Sequence, residues 1–110
     1  MLKTIAVLVI ASSLCGCGTF MQKGALSSAY RNYDKRDYED TLSLVSQAES
    51  YASPAPELKA EMVFLKALAL EKLEREDEAQ GSLNYLVEQF PETEYGYRAK
   101  VKLKEIADCE

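Results

Sequence analysis

A chain of 110 residues, 47% of them apolar, is long enough for one hydrophobic core and too short for two domains. It has no histidine and a formal net charge of -5, which argues against nucleic acid as a partner. With no pair of cysteines at ligand spacing and no glycine-rich phosphate loop, it lacks the usual parts of metal, nucleophilic and nucleotide chemistry, so neither cofactor nor metal is expected.

Met1-Leu2-Lys3 gives a basic start, the run Thr4 to Ala11 an apolar core, and Gly16 a small residue before a cut. Together they read as a secretory signal, with an apolar stretch too short to cross a bilayer as a helix. Its ending, Leu14-Cys15-Gly16-Cys17, resembles the lipobox of bacterial lipoproteins: Leu at minus three, a small residue at minus two, Gly at minus one and then Cys. Cys15, behind Leu14, is the poorer cleavage candidate. The resemblance implies that the Cys17 sulfur receives a diacylglyceryl group, that cleavage leaves Cys17 as the first mature residue, and that several acyl chains then anchor it to the membrane. By that family's sorting rule, Gly18 in place of Asp after the cysteine favours the outer over the inner membrane. The expected organisation is a signal peptide over 1–16, a lipidated tether over 17–23 and a helical domain over 24–110. Roughly 94 residues remain after cleavage, and they are more acidic still, because Lys3 leaves with the signal.

The periodicity of those residues is helical throughout, and no segment shows the alternation of a strand. Ala25, Leu26, Ala29, Tyr30 and Tyr33 draw one stripe, interrupted at Asp34-Lys35-Arg36. Tyr38, Thr41, Leu42, Val45, Ala48 and Ala52 draw a second, ending at Ser53-Pro54-Ala55-Pro56. Proline suits a first helical turn, so a third helix starts near Pro56. Over Glu57 to Leu73 that helix is apolar on two sides, with Leu58, Met62, Leu65 and Ala69 near one line and Val63, Ala67 and Leu70 near another, so it is expected to be covered on both flanks. A polar turn at Glu74-Arg75 leads to a fourth helix with Ala79, Leu83, Leu86, Val87 and Phe90 inward, closed by Pro91. Thr93 is the expected N-cap of a fifth helix with Tyr95, Ala99, Leu103 and Ile106 on one face. The expected class is all-α: antiparallel helical hairpins over 24–52 and 56–91, then a final helix over 93–108.

Residues Ala60 to Pro91 resemble a tetratricopeptide repeat (TPR). Ala67 stands at the small position where two helices cross, Leu73 precedes the turn, Glu78-Ala79 matches the Glu-Ala pair opening the second helix, and Pro91 closes it. The sequence departs from the pattern at Lys66, where Leu is common, at Glu74, where Gly is common, and at Glu76, where Tyr is common. The hairpin over 24–52 resembles a degenerate copy, with Tyr38 at the aromatic position and Thr41 in place of Ala. Thr41 and Ala79 stand 38 residues apart, against about 34 in the usual repeat, and the proline linker could absorb the difference. Phe90 to Gly96 with Ala99, Leu103 and Ile106 resembles the repeat variant of periplasmic and outer-membrane helper proteins of envelope assembly. What this implies is a short TPR-like solenoid of about five helices that holds a peptide or a neighbouring subunit.

The carboxylates Glu71, Glu74, Glu76, Asp77 and Glu78 surround a turn and begin a helix, where the dipole favours negative charge, so they read as a solvated helix start and no catalytic residue is assigned. Tyr30, Tyr33 and Tyr38 are expected to fill the first hairpin's core. Tyr97, beside Arg98, Lys100, Lys102 and Lys104, is the interface candidate, and this basic stretch could meet anionic lipid, an acidic partner or only solvent. Partner contact is accordingly placed on Tyr97, Arg98, Lys100 and Lys104. Cys109 is the one thiol left after cleavage and acylation, a candidate for an intermolecular disulfide in a homodimer. The expected function is a non-catalytic adaptor on the periplasmic face of the outer membrane, binding an envelope protein or peptide. The alternative is a self-associating structural lipoprotein.

Overall fold

A computed structural model describes residues 21–51 and 55–109. Among them are five α-helices and no strand: α1 over 21–34, α2 Tyr38–Ser50, α3 Pro56–Lys72, α4 Glu76–Gln89 and α5 Glu94–Cys109. The expected all-α class and the helix boundaries hold to within a few residues. One boundary differs: residues 21–23, assigned to the tether, are already helical. Gln22 is fully buried there, and its side-chain amide donates to the carbonyl of Ala48 at the end of α2 (3.2 Å), which fastens the start of α1 to its hairpin partner. The signal, Cys17 and the linker prolyl Pro54 lie outside the described residues.

Both hairpin turns are built alike. Arg36 and Glu74 have positive φ (67° and 61°), and each terminates its helix with the same pair of backbone bonds. Arg36 and Asp37 donate to the carbonyls of Tyr33 and Asn32 (3.0 and 2.8 Å), and Glu74 and Arg75 to those of Glu71 and Leu70 (3.0 and 2.9 Å). This is the Schellman arrangement, in which a left-handed residue turns the chain back to satisfy the last carbonyls of a helix. The next helix begins at once. The Asp37 carboxylate accepts from the Asp40 amide at the start of α2, while α4 opens with Glu76, Asp77 and Glu78 in its first turn.

The correspondence continues through the core. Gln22, Leu26, Ala29, Thr41, Val45 and Ala48 are buried, and so are the residues 38 positions later: Ala60, Phe64, Ala67, Ala79, Leu83 and Leu86. The 38-residue offset first noticed at Thr41 and Ala79 therefore runs through both hairpins. Ala29 and Ala67 each have no exposed surface, so the helix axes approach where no bulky side chain intervenes.

Hairpin two sits in the middle of the stack. α3 packs against α2, α4 and α5, which accounts for its apolar residues on several sides and its eight buried positions. Two apolar clusters result. One joins α1, α2 and α3 through Leu26, Val45, Met62 and Leu65; the other joins α3, α4 and α5 through Phe64, Leu83, Leu86 and Ala99. α2 and α4 both lie on α3 without touching each other. Tyr30, Tyr33 and Tyr38, expected to fill the first core, are half-buried at its edge instead. Tyr33 and Tyr38 meet edge to face, with ring centroids 5.4 Å apart, because the core of hairpin one is already filled by smaller aliphatic side chains.

Candidate functional site

α5 is set in place by its first turn. The Thr93 hydroxyl accepts from the Gly96 amide (3.0 Å) and donates to the Phe90 carbonyl (2.7 Å), so Thr93 is the N-cap that the sequence indicates. Gly96 lies so close to the preceding loop that a Cβ would stand 1.9 Å from the Phe90 carbonyl oxygen. Only a residue without a side chain fits there.

From this anchor the helix divides its charged residues. Arg98 is engaged, pairing with Glu94 (2.6 Å) and standing 5.4 Å over the Tyr95 ring, which itself packs on Phe64. Lys102 reaches back to Glu71 of α3 (3.2 Å). Tyr97, Lys100, Val101 and Lys104 recur at helical spacing on the face turned away from α3 and α4, with Tyr97 67% and Val101 39% exposed. Of the four residues assigned to partner contact, the structure thus groups Tyr97, Lys100 and Lys104, adds Val101, and sets Arg98 apart in contacts within its own helix. Cys109 is exposed on the last turn of α5. It borders a hollow of about 420 Å³ with Glu71, Lys102 and Ile106, and Glu71 Oε1, itself buried, has no hydrogen-bond partner among the described residues.

The acidic residues of the second turn stand as expected for a helix start. Glu76, Asp77 and Glu78 are exposed, and Arg75 binds Glu78 and lies 3.9 Å from Glu39 of the first turn, linking the two turns across the stack. Glu78 is held below the usual carboxylate range by its hydrogen bond to Arg75. Among the described residues no group of three or more His, Cys, Asp or Glu is placed to hold a metal ion.

Two features escape sequence reasoning. The separation of α2 and α4 leaves an open cleft of about 850 Å³ floored by α3 and bordered by Glu49, Arg75 and Glu78. Leu42 and Tyr85 form apolar walls, and the floor is the stripe Lys59, Val63, Lys66 and Leu70. Its signals in the sequence are Lys66, a charged residue within an otherwise apolar stretch of α3, and Gly81, which leaves open space on α4. The second feature is a polar bridge between helices: the Tyr30 hydroxyl donates to Glu61 Oε1 across α1 and α3 (2.8 Å). Burial first, and then this bond to a carboxylate, push the Tyr30 phenol well above its ordinary range.

No protein-family model, curated protein or solved structure gives a significant match to this chain. Among the described residues no helix is long and apolar enough to cross a membrane.

Proposed function

We propose that this chain is a non-catalytic TPR-like adaptor, lipid-anchored through Cys17 to the periplasmic face of the outer membrane, that helps assemble or localise an envelope complex by binding one of its polypeptides. The observation that carries this reading is the outer face of α5. It presents the exposed Tyr97 followed by Lys100, Val101 and Lys104, and among the described residues nothing packs on it. In a stack of hairpins this is where a further repeat would pack, so it suits a second polypeptide. The lipobox-like Leu14 to Cys17 supports the anchor. Residues 18–20 can span at most roughly 14 Å between Cys17 and α1. The domain is thereby held close to the bilayer by the end where α1 starts and α2 stops, and its acidic turns face away from the membrane.

The test is made in cells carrying the full-length chain. Labelled palmitate should enter the protein and not its Cys17→Ala variant, and the label should sediment with outer membranes. A photo-crosslinking residue at position 97 should capture a discrete envelope protein, and Lys100→Glu with Lys104→Glu should diminish that product. Label-free protein, or position 97 yielding no product, would refute the anchor and the adaptor role respectively. The exposed thiol of Cys109 favours one second reading, the self-associating lipoprotein. That reading requires a dimer on non-reducing gels that reductant or Cys109→Ser abolishes.

A further inference from the structure

The cleft between α2 and α4 has a chemistry different from the outer face of α5. Its floor alternates charge and apolar surface along one stripe of α3, in the order Lys59, Val63, Lys66, Leu70. Among the described residues neither lysine has a carboxylate within 4.0 Å, although Glu49 and Glu78 also line the cleft and Lys66 helps to hold Glu78 ionised, whereas Arg75 at the cleft's edge is occupied by Glu78 and Glu39. The lining thus carries Lys59, Lys66 and Arg75 against Glu49 and Glu78, a net positive groove in a chain of net charge -5. Lys66 stands where the repeat that this hairpin resembles commonly has Leu. The walls also leave room: a side chain added at Gly81 would meet nothing within 4 Å.

We infer that this cleft binds an acidic amphipathic helix of a partner protein, whose carboxylates meet Lys59 and Lys66 while its apolar side chains lie on Val63, Leu70, Leu42 and Tyr85. Lys59 and Lys66 are seven residues apart, roughly 10 Å along α3. A partner helix laid along the groove answers them with two carboxylates at the same interval, two turns apart, and with apolar residues between. Helix-in-groove binding of this kind takes its affinity from the apolar contacts and its register and selectivity from the charges. The inference rests on the adaptor reading and adds a second surface to it, with a defined ligand chemistry.

Two measurements test it on the full-length protein. In detergent solution, two fluorescent peptides of about 15 residues share one leucine face, and the polar face of one carries Glu, that of the other Lys. The Glu peptide should bind and the Lys peptide should not. Lys59→Glu with Lys66→Glu should weaken the Glu peptide roughly tenfold or more and admit the Lys peptide. Gly81→Trp, which fills open space in the cleft, should abolish binding while the helical circular dichroism is kept; Lys100→Glu with Lys104→Glu should change nothing. Equal binding of both peptides, or binding that survives the reversals, would overturn the inference.

In cells, a photo-crosslinking residue at position 85 should capture a partner through an acidic segment identified by mass spectrometry. Products from position 97 with none from position 85 would remove the cleft and leave the adaptor standing. Products from neither would remove both. A product made only of this chain would replace the partner helix by a second copy and overturn the inference.

Discussion

The two hairpins share a frame and fill it differently. Where hairpin one buries Gln22 and Thr41, hairpin two has Ala60 and Ala79 at the equivalent positions. Burying a polar group is unfavourable unless it is hydrogen-bonded, and hairpin one meets that condition for two donors while Gln22 Oε1, also buried, has no hydrogen-bond partner among the described residues. Gln22 donates to Ala48, and the Thr41 hydroxyl donates to the carbonyl of Asp37 (2.8 Å), four residues back. Hairpin two meets the same spatial demand with small apolar residues and is covered on both sides, by hairpin one and by α5. One backbone pattern can thus be closed by polar bonds at the end of a stack or by close packing in its middle.

If the middle hairpin carries the stack, its core should be the costlier to cut. Leu83→Ala, at a fully buried position, should destabilise by about 2–5 kcal/mol in urea unfolding. Val45→Ala, its equivalent in hairpin one, should lose about half as much, because fewer methyl groups are removed. Equal losses would mean that, atom for atom removed, the end hairpin is packed more tightly than the middle one.

The polar solution is tested by converting hairpin one to the residues of hairpin two. Gln22→Ala removes the tie between α1 and α2 and should cost about 1–2 kcal/mol, read as faster hydrogen exchange in α1. Thr41→Ala should lie within about 1 kcal/mol of neutral, since the Asp37 carbonyl keeps the Thr41 backbone amide as a partner (3.1 Å) and alanine is the better helix former. A large loss at position 41 would show that its hydroxyl does more than fill space.

The turns offer a smaller and symmetrical effect. A non-glycine residue in the left-handed region is strained by about 1 kcal/mol, and part of that is returned when glycine relieves it. Arg36→Gly and Glu74→Gly should each stabilise by about 0.5 kcal/mol in thermal unfolding. Glu74→Gly also restores the residue common in the resembled repeat. A gain at one turn and a loss at the other would separate two turns that share their backbone bonds.

Much of this fold was legible because its elements obey short-range rules. The stripe Leu26, Ala29 and its successors marked the buried faces, Pro56 and Thr93 marked helix starts, and Thr41 and Ala79 at matching places in the two hairpins pointed to a repeat despite their 38-residue offset. Less legible was whatever depends on distances between helices. Nothing local to Gln22 distinguishes a tether from a helix start, because its burial is created by Ala48, 26 residues away. The tyrosines of hairpin one follow the core period, yet ring size pushes them to the edge. At the candidate site, Tyr97, Arg98, Lys100 and Lys104 are grouped in the sequence by adjacency; helical spacing puts Tyr97, Lys100 and Lys104 on one face, and Arg98 turns to Glu94 and Tyr95. The cleft is set by the gap between α2 and α4, a spacing that no single-helix periodicity encodes.

The last contrast lies at Tyr30, whose equivalent in hairpin two is Leu68. The phenol of Tyr30 is raised by burial and by its bond to the Glu61 carboxylate, and it titrates later than an ordinary tyrosine. A group whose folded-state value lies above its unfolded one contributes its full stability below the unfolded value and loses it as pH climbs further, because the unfolded chain releases the proton first. Stability should therefore be insensitive to this group through neutral pH and fall in strongly alkaline solution, above about pH 10. Burial also raises Tyr33 and Tyr95, so the phenolate absorbance should show a delayed fraction of the tyrosines, and Tyr30→Phe should remove the latest part. Tyr30→Leu, which gives hairpin one the side chain of hairpin two, should reduce the alkaline loss of stability. If the late phase persists in both variants, the bridge to Glu61 is not what holds that proton, and α1 and α3 are joined by apolar contact alone.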